Sequence, residues 1–219
     1  MADGERMTRT LVIDTATAAC SVALIEDGFV IACGHDLVGR GHAEQLVPMI
    51  ARLPEGGRAD RILVDCGPGS FTGVRVGIAA ARGLALGWGV PVTGYSSTAI
   101  IAAAALANTD HAAVAVVIEA GHGEVFVQRY GAKVDPQGTL VSLTPAAAIT
   151  VIGPLPAFGN GVARLTAVAP GLVTTHAVPN AADAVLLPAP AADLPPRPIY
   201  GRAPDAKLPA EVIAARAAA

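Results

Sequence analysis

The chain has 219 residues, 53% of them hydrophobic and 15% charged, and its net charge is −3. That length and apolar content suffice for one large domain or two small ones around a packed core. The missing basic excess argues against a free-standing nucleic-acid binder, whose affinity comes mainly from neutralising phosphates, so any RNA it serves must be held by something else.

The opening residues, Met-Ala-Asp-Gly-Glu-Arg, carry acids and no apolar segment of a secretory signal, and Met7 is a second candidate start. Next, Thr10–Thr15 is a β-branched apolar strand, Cys20–Ile25 alternates as a second, and Glu26-Asp27-Gly28 is a hairpin signal before a third, Phe29–Gly34. A helix is expected over His42–Leu53, where Leu46, Met49, Ile50 and Leu53 fall at helical spacing. Arg61–Cys66 reads as a short buried strand, followed by a glycine loop, a small-residue helix to about Gly87, a strand at Val90–Thr93 and a helix at Ser97–Leu106. The expected fold is α/β. Its βββαβαβα order is ribonuclease-H-like, an antiparallel hairpin on one edge of a mostly parallel sheet.

The longest uncharged run, Gly83–Thr109, is punctuated by Gly87, Gly89, Pro91 and Gly94. A spanning helix needs about 20 continuous apolar residues, so no membrane segment is expected. A second unit opens with Ala113–Glu119 and Glu124–Tyr130 around a Gly-His-Gly turn, with Leu140–Leu143 as a possible third strand. It repeats the opening of the first unit without a strict sequence repeat. The expected division is residues 1–108 and 109–219. The stretch 143–190 is short and rich in alanine and proline. Pro188–Pro209 holds seven prolines, so it should be irregular and wrap a neighbouring surface.

Three cysteines, Cys20, Cys33 and Cys66, without C-x-x-C spacing exclude a disulfide framework or zinc knuckle and suit free thiols in the cytoplasm. The five histidines, His35, His42, His111, His122 and His176, include no pair at i, i+4, so a metallopeptidase reading has no ligands within one helix. No G-x-S-x-G nucleophile elbow is present.

Two stretches carry candidate chemistry. In Ile13–Leu24, Asp14 ends a strand and Thr15 opens a hydroxyl-rich turn, an arrangement that holds a phosphate or a metal-bound water, or else is an ordinary hairpin with Asp14 accepting turn hydrogen bonds. In Cys66–Arg75, Gly67, Gly69 and Ser70 lie between a buried strand and a helix start, which suits an anion or a tight turn that needs glycine. The spacing is neither a P-loop nor a dinucleotide fingerprint. Asp14, Thr15, Gly67, Gly69 and Ser70 are therefore a candidate vestigial phosphate or nucleotide cleft. Beyond them, Gly73, Gly77, Ala81 and Ala85 form a stripe without bulk that lets another backbone approach, from this chain's own sheet or from another subunit.

The stretches Ile13–Leu24, His42–Ile50, Gly67–Ala85 and Glu119–Phe126 together resemble the TsaB (YeaZ) family, as do Gly159–Gly161 and Pro198–Arg202. The resemblance is strongest over residues 8–130, and its long glycine motif is the most specific part. It implies the actin, Hsp70 and sugar-kinase fold of two ribonuclease-H-like units. It also implies a non-catalytic partner of TsaD, the subunit that transfers threonylcarbamoyl to the tRNA adenosine beside the anticodon. A TsaE-like ATPase would join them, tRNA would be met through the complex, ATP or ADP would bind only within it, and the chain alone would pair with itself. TsaD-like proteins carry a metal-binding H-x-x-x-H after the glycine motif, and the matching positions here are Ser97 and Ile101, which cannot form that site. Glu119 departs from the family's usual aspartate, and Gly201 from a common leucine.

The partner surface expected from this resemblance is an apolar patch on the two helices: Leu46, Met49, Ile50, Val74 and Ile78, with Arg75 and Arg82 on the rim. On that reading Ile78→Asp abolishes binding and leaves the monomer folded. The rival within the same fold is an active ATPase or kinase using Asp14 and the Gly67–Gly73 loop.

Overall fold

The computed structural model describes residues 8–201 and contains two five-stranded mixed sheets. The first comprises β1 (Arg9–Asp14), β2 (Ala19–Glu26), β3 (Phe29–Leu37), β4 (Arg61–Asp65) and β5 (Val92–Tyr95), ordered β3-β2-β1-β4-β5. β1 is antiparallel to β2 and parallel to β4. The β2–β3 join is tight because Asp27 and Gly28 both take positive φ, 48° and 84°, the geometry of a two-residue hairpin. The parallel strands need crossovers. Helix α1 (His42–Ala51) precedes β4, α2 (Phe71–Trp88) joins β4 to β5, and α3 (Ser97–Ala107) follows, giving the expected βββαβαβα order.

The second sheet repeats this plan. Its strands are β6 (Val114–Glu119), β7 (Val125–Gly131), β8 (Asp135–Leu143), β9 (Ala157–Phe158) and β10 (Thr174–Thr175), ordered β10-β9-β6-β7-β8. Helices α4 (Pro145–Ile152) and α5 (Val162–Thr166) flank β9 in the chain. β6 is antiparallel to β7 and parallel to β9, as β1 is to β2 and β4. Topology thus carries the duplication that the sequence does not. β9 and β10 were invisible to pattern because two residues show no period.

Side-chain alternation along β1 divides the core. Leu11 and Ile13 face α1 and α2 with Leu46, Met49, Ile50, Val74 and Ile78, while Val12 points to the other face, with Ile100, Val114, Val116 and Ile118. Both faces are covered, so β1 reads as an unbroken apolar run. Each Leu or Ile buried this way contributes about 1.5–3 kcal/mol. α3 is apolar on every side because it lies in the middle layer, where Ser97 to Ala103 are all buried. α4 and α5 cover the far face of the second sheet with Ala148, Ile152, Val162 and Leu165.

After β10 the chain returns to the first lobe. A 3-10 helix at Ala181–Leu186 packs on β1, β2 and α3. The proline-rich stretch then runs along the β5 edge, where Leu194 bridges Gly94, Thr93 Oγ1 donates to the Ala192 carbonyl at 3.0 Å, and Ile199 N–H donates to the Cys66 carbonyl at 2.7 Å. An open sheet edge is thereby closed. The rest of that stretch, with Arg202, lies outside the described residues.

Candidate functional site

The glycine loop and α2 meet the β1–β2 turn at backbone contact. A side chain at Gly73 would run into the Thr15 carbonyl, and one at Gly77 into Thr15 Oγ1. Thr15 Oγ1 instead donates to the Gly73 carbonyl at 2.7 Å. The small-residue stripe therefore faces the chain's own sheet. His42, buried at the start of α1, has Nε2 2.8 Å from the Thr17 carbonyl and 3.2 Å from that of Ala19, where a ring N–H donates and ties the helix to the same turn.

Behind the turn lie two carboxyl groups, Asp14 at the end of β1 and Asp65 at the end of β4, both fully buried, with the charge of Asp14 acting on Asp65. Asp14 accepts from Ala16 N–H at 3.2 Å and Tyr95 O–H at 3.0 Å. Asp65 Oδ1 accepts from Gly67 N–H at 2.6 Å and Ser97 O–H at 2.8 Å, while Asp65 Oδ2 has no donor to accept from among the described residues. Desolvation raises Asp14 above the ordinary carboxylate range, against the pull of its donors. Asp65 is pushed up further, by desolvation first and then by the Asp14 charge. Both causes favour the neutral form of Asp65, since a proton there removes the charge that burial and Asp14 disfavour. Burial lifts Tyr95 well above its usual value and the Cys66 thiol to about 12, so neither ionises near neutrality.

Between the lobes opens a cleft of about 930 Å³. Ala16–Ala18, Gly69, Ser70 and the start of α2 line one wall; Ile118–His122, Asn160 and Arg164 line the other; Pro198–Gly201 closes the mouth. Of the candidate phosphate residues, the structure brings only Gly69 and Ser70 to this cleft, whereas Asp14, Thr15 and Gly67 are buried away from its lining. The loop amides are largely engaged. Gly67 N–H donates to Asp65, Ser70 N–H to the Ala16 carbonyl at 2.6 Å, and Gly73 N–H to Ser70 Oγ at 3.2 Å as the helix cap. Among the described residues no group of three or more His, Cys, Asp and Glu could hold a metal ion, and no helix is long and apolar enough to cross a membrane.

The expected apolar patch needs correction. Leu46, Met49, Ile50, Val74 and Ile78 are at most 5% exposed and form the core under the first sheet. The helical spacing that identified them marks the face a helix buries, and the nearest apolar surface is the chain's own sheet. Ile78→Asp would therefore unfold the lobe, since it buries an unpaired charge. Arg75 and Arg82 are exposed but engaged by the returning chain: Arg75 donates to Tyr200 Oη at 3.0 Å and Arg82 to the Pro196 carbonyl at 2.6 Å. Among the uncharged residues that the two adjacent helices show to solvent are Val47 on α1 and Ala79, Gly83 and Leu86 on α2.

Sequence reasoning missed Arg40, Phe71, Arg164 and the lining role of Tyr200. Arg40 and Arg164 come from loops and helices far apart in the chain, so no spacing could have joined them. An aromatic inside each of two family-like stretches, Phe71 and Tyr200, was the one legible hint.

A family model described as TsaD, tRNA N6-adenosine threonylcarbamoyltransferase, matches residues 36–153, more than half of the chain. The tRNA threonylcarbamoyladenosine biosynthesis protein TsaB of Escherichia coli K12 is 42% identical over 127 residues, 56% of this chain and 54% of that protein, so the chain spans about half the length of this relative. YeaZ from Pseudomonas aeruginosa superposes with a TM-score of 0.75 at 29% identity, over 89% of this chain and 100% of the other. A second solved chain, an uncharacterized protein with similarity to peptidase YEAZ from the same organism, gives 0.74 at 31% identity, over 90% of this chain and 100% of the other. With its paired mixed sheets and glycine-packed turn, the chain belongs to the TsaB/YeaZ family, within the wider kinship of the TsaD transferase.

Proposed function

We propose that the chain is a non-catalytic subunit for threonylcarbamoyladenosine modification of tRNA, acting by docking onto a TsaD-like transferase. The observation that carries this reading is the fate of the two positions where TsaD-like chains place metal-binding histidines. Ser97 is buried and spends its hydroxyl on Asp65, and Ile101 is 3% exposed in the middle layer. Neither reaches the cleft, and an isoleucine offers no lone pair to a metal. The acid that a phosphate-transferring relative would present, Asp14, is tied into a buried pair, which also disfavours the ATPase reading. Titration of the chain alone with ATP-magnesium should give no saturable heat, and phosphate release at the background rate.

Docking would use the outer faces of α1 and α2. Ala79 and Gly83 leave α2 without bulk there, so a partner helix can approach closely, and Val47 and Leu86 supply exposed apolar area, Leu86 at 86%. A transferase with the same fold presents equivalent helices, and two copies of this chain can pair through them when alone. A TsaE-like ATPase completes the complex, and nucleotide is bound only within it. Ala79→Arg should abolish co-purification with a TsaD-like partner and leave the melting temperature within about 2 °C, because exposed substitutions rarely exceed about 0.5 kcal/mol. Undiminished co-purification counts against this surface. Reconstitution with transferase, ATPase, threonylcarbamoyl-AMP and tRNA should lose modification when the chain is omitted.

A further inference from the structure

The cleft mouth combines features that the docking role leaves unused. We propose that it holds one unpaired nucleotide of the RNA substrate, its base on the Phe71–Arg75–Tyr200 cluster and its phosphate at Arg40; this deepens the tRNA-modification reading above and rests on it.

Three observations point there. First, the cluster is built and exposed. The Arg75 guanidinium lies over the Phe71 ring at 3.5 Å, its NH2 group is pinned by Tyr200 Oη at 3.0 Å, and the two rings are 6.1 Å apart at 33°. Phe71 is 60% and Tyr200 54% exposed, and all three residues line the cleft. Aromatic faces joined to a fixed guanidinium stack any flat base without needing its sequence. Second, the charge is locally inverted. The chain is net −3, yet the cleft lining carries Arg40, Arg75 and Arg164 against one acid, Glu119, which is paired with Arg164 at 3.1 Å. The Arg40 guanidinium has no hydrogen-bond or ion partner among the described residues, which leaves it available to a phosphate. Third, the site is wrong for a free magnesium-bound triphosphate. Asp14 is buried outside the lining, and the amides of Gly67, Ser70 and Gly73 are already engaged. A single nucleotide in an RNA loop asks for less: a stacking surface, one cation and room, and about 930 Å³ is ample. The low overall charge fits a contact that orients a loop base while a partner subunit supplies most of the affinity.

The test is photocrosslinking of a tRNA anticodon stem-loop carrying 4-thiouridine in its loop, to the chain in complex with the transferase and to the chain alone. The expected adducts map to peptides containing Phe71 or Tyr200. The double variant Phe71→Ala, Tyr200→Ala should lose the adduct about tenfold or more, the scale of one lost base stack. Arg40→Glu should weaken it and flatten its salt dependence. Melting temperature and co-purification with the transferase are measured on the same variants, whose substituted side chains are solvent-exposed. Adducts elsewhere, or an adduct unchanged in both variants, overturn the proposal. So does an adduct displaced by micromolar ADP while unlabelled stem-loop fails to compete, which would assign the site to a free nucleotide. If the transferase docks and modification proceeds without this adduct, only this inference falls. If the chain never docks, the function proposed above falls, and the adduct on the chain alone still decides this one.

Discussion

Gly73→Val should remove a large share of the chain's stability. The new side chain would overlap the Thr15 carbonyl, a backbone atom that cannot move without dragging the β1–β2 turn from the sheet, and the 2.7 Å bond from Thr15 Oγ1 would go with it. Overpacking of this kind costs about 3 kcal/mol or more, a large share of a stability of about 5–15 kcal/mol. At about 2–4 °C per kcal/mol, the melting temperature should fall by about 6–12 °C, with much of the protein insoluble on expression. Gly83→Ala, ten residues along the same helix, should do the opposite. A side chain there meets nothing within 4 Å, so the substitution gains about 0.5–1 kcal/mol from helix propensity alone. Opposite signs from two glycines of one helix would locate the close contact by thermal melting. Equal effects would show that the turn does not press on α2 at Gly73.

Asp65→Asn should change how stability depends on pH. In the folded chain Asp65 is raised well above its usual range by burial and by the Asp14 charge, whereas in the unfolded chain it titrates at about 3.9. The folded state therefore binds an extra proton. The stabilisation from that proton is complete below the unfolded value and is lost as pH rises through the folded one. Above that point two carboxylates face each other without water, and desolvating an unpaired ion costs several kcal/mol. Asparagine keeps an oxygen for Gly67 and Ser97 and does not titrate. Melting temperatures of the two proteins should be closest at acid pH, at or below the unfolded value of about 3.9, and separate as pH rises above it, with the variant more stable at the alkaline end. Parallel curves would mean that Asp65 holds no extra proton in the folded chain.

The two lobes differ in how much of them the sequence discloses. β1, β2, α1, α2 and α3 are long enough to show their periods, and the Asp27-Gly28 turn announces its hairpin, so the first lobe was legible to within a few residues. Strand ends shifted where glycine or proline intervened: the expected Val90–Thr93 became Val92–Tyr95, since Gly89 closes α2 at positive φ. In the second lobe β9 and β10 are two residues each, and α5 is five. They exist because the first sheet's topology is repeated and β6 has an open edge to fill, which is a tertiary reason.

The sequence by itself determined the first lobe's element order, the family and the residues that α1 and α2 use for packing, because these follow from period, spacing and motif. Only the tertiary structure decided what those residues pack against. A helix pattern reports that one face is apolar, not whether its cover is a partner or the chain's own sheet; here the sheet took Leu46, Val74 and Ile78 and left Val47, Ala79 and Leu86 outside. The same holds for charge: Asp14 and Asp65 are 51 residues apart in the chain, and only the parallel pairing of β1 with β4 brings their strand ends side by side, where burial raises both above their usual range.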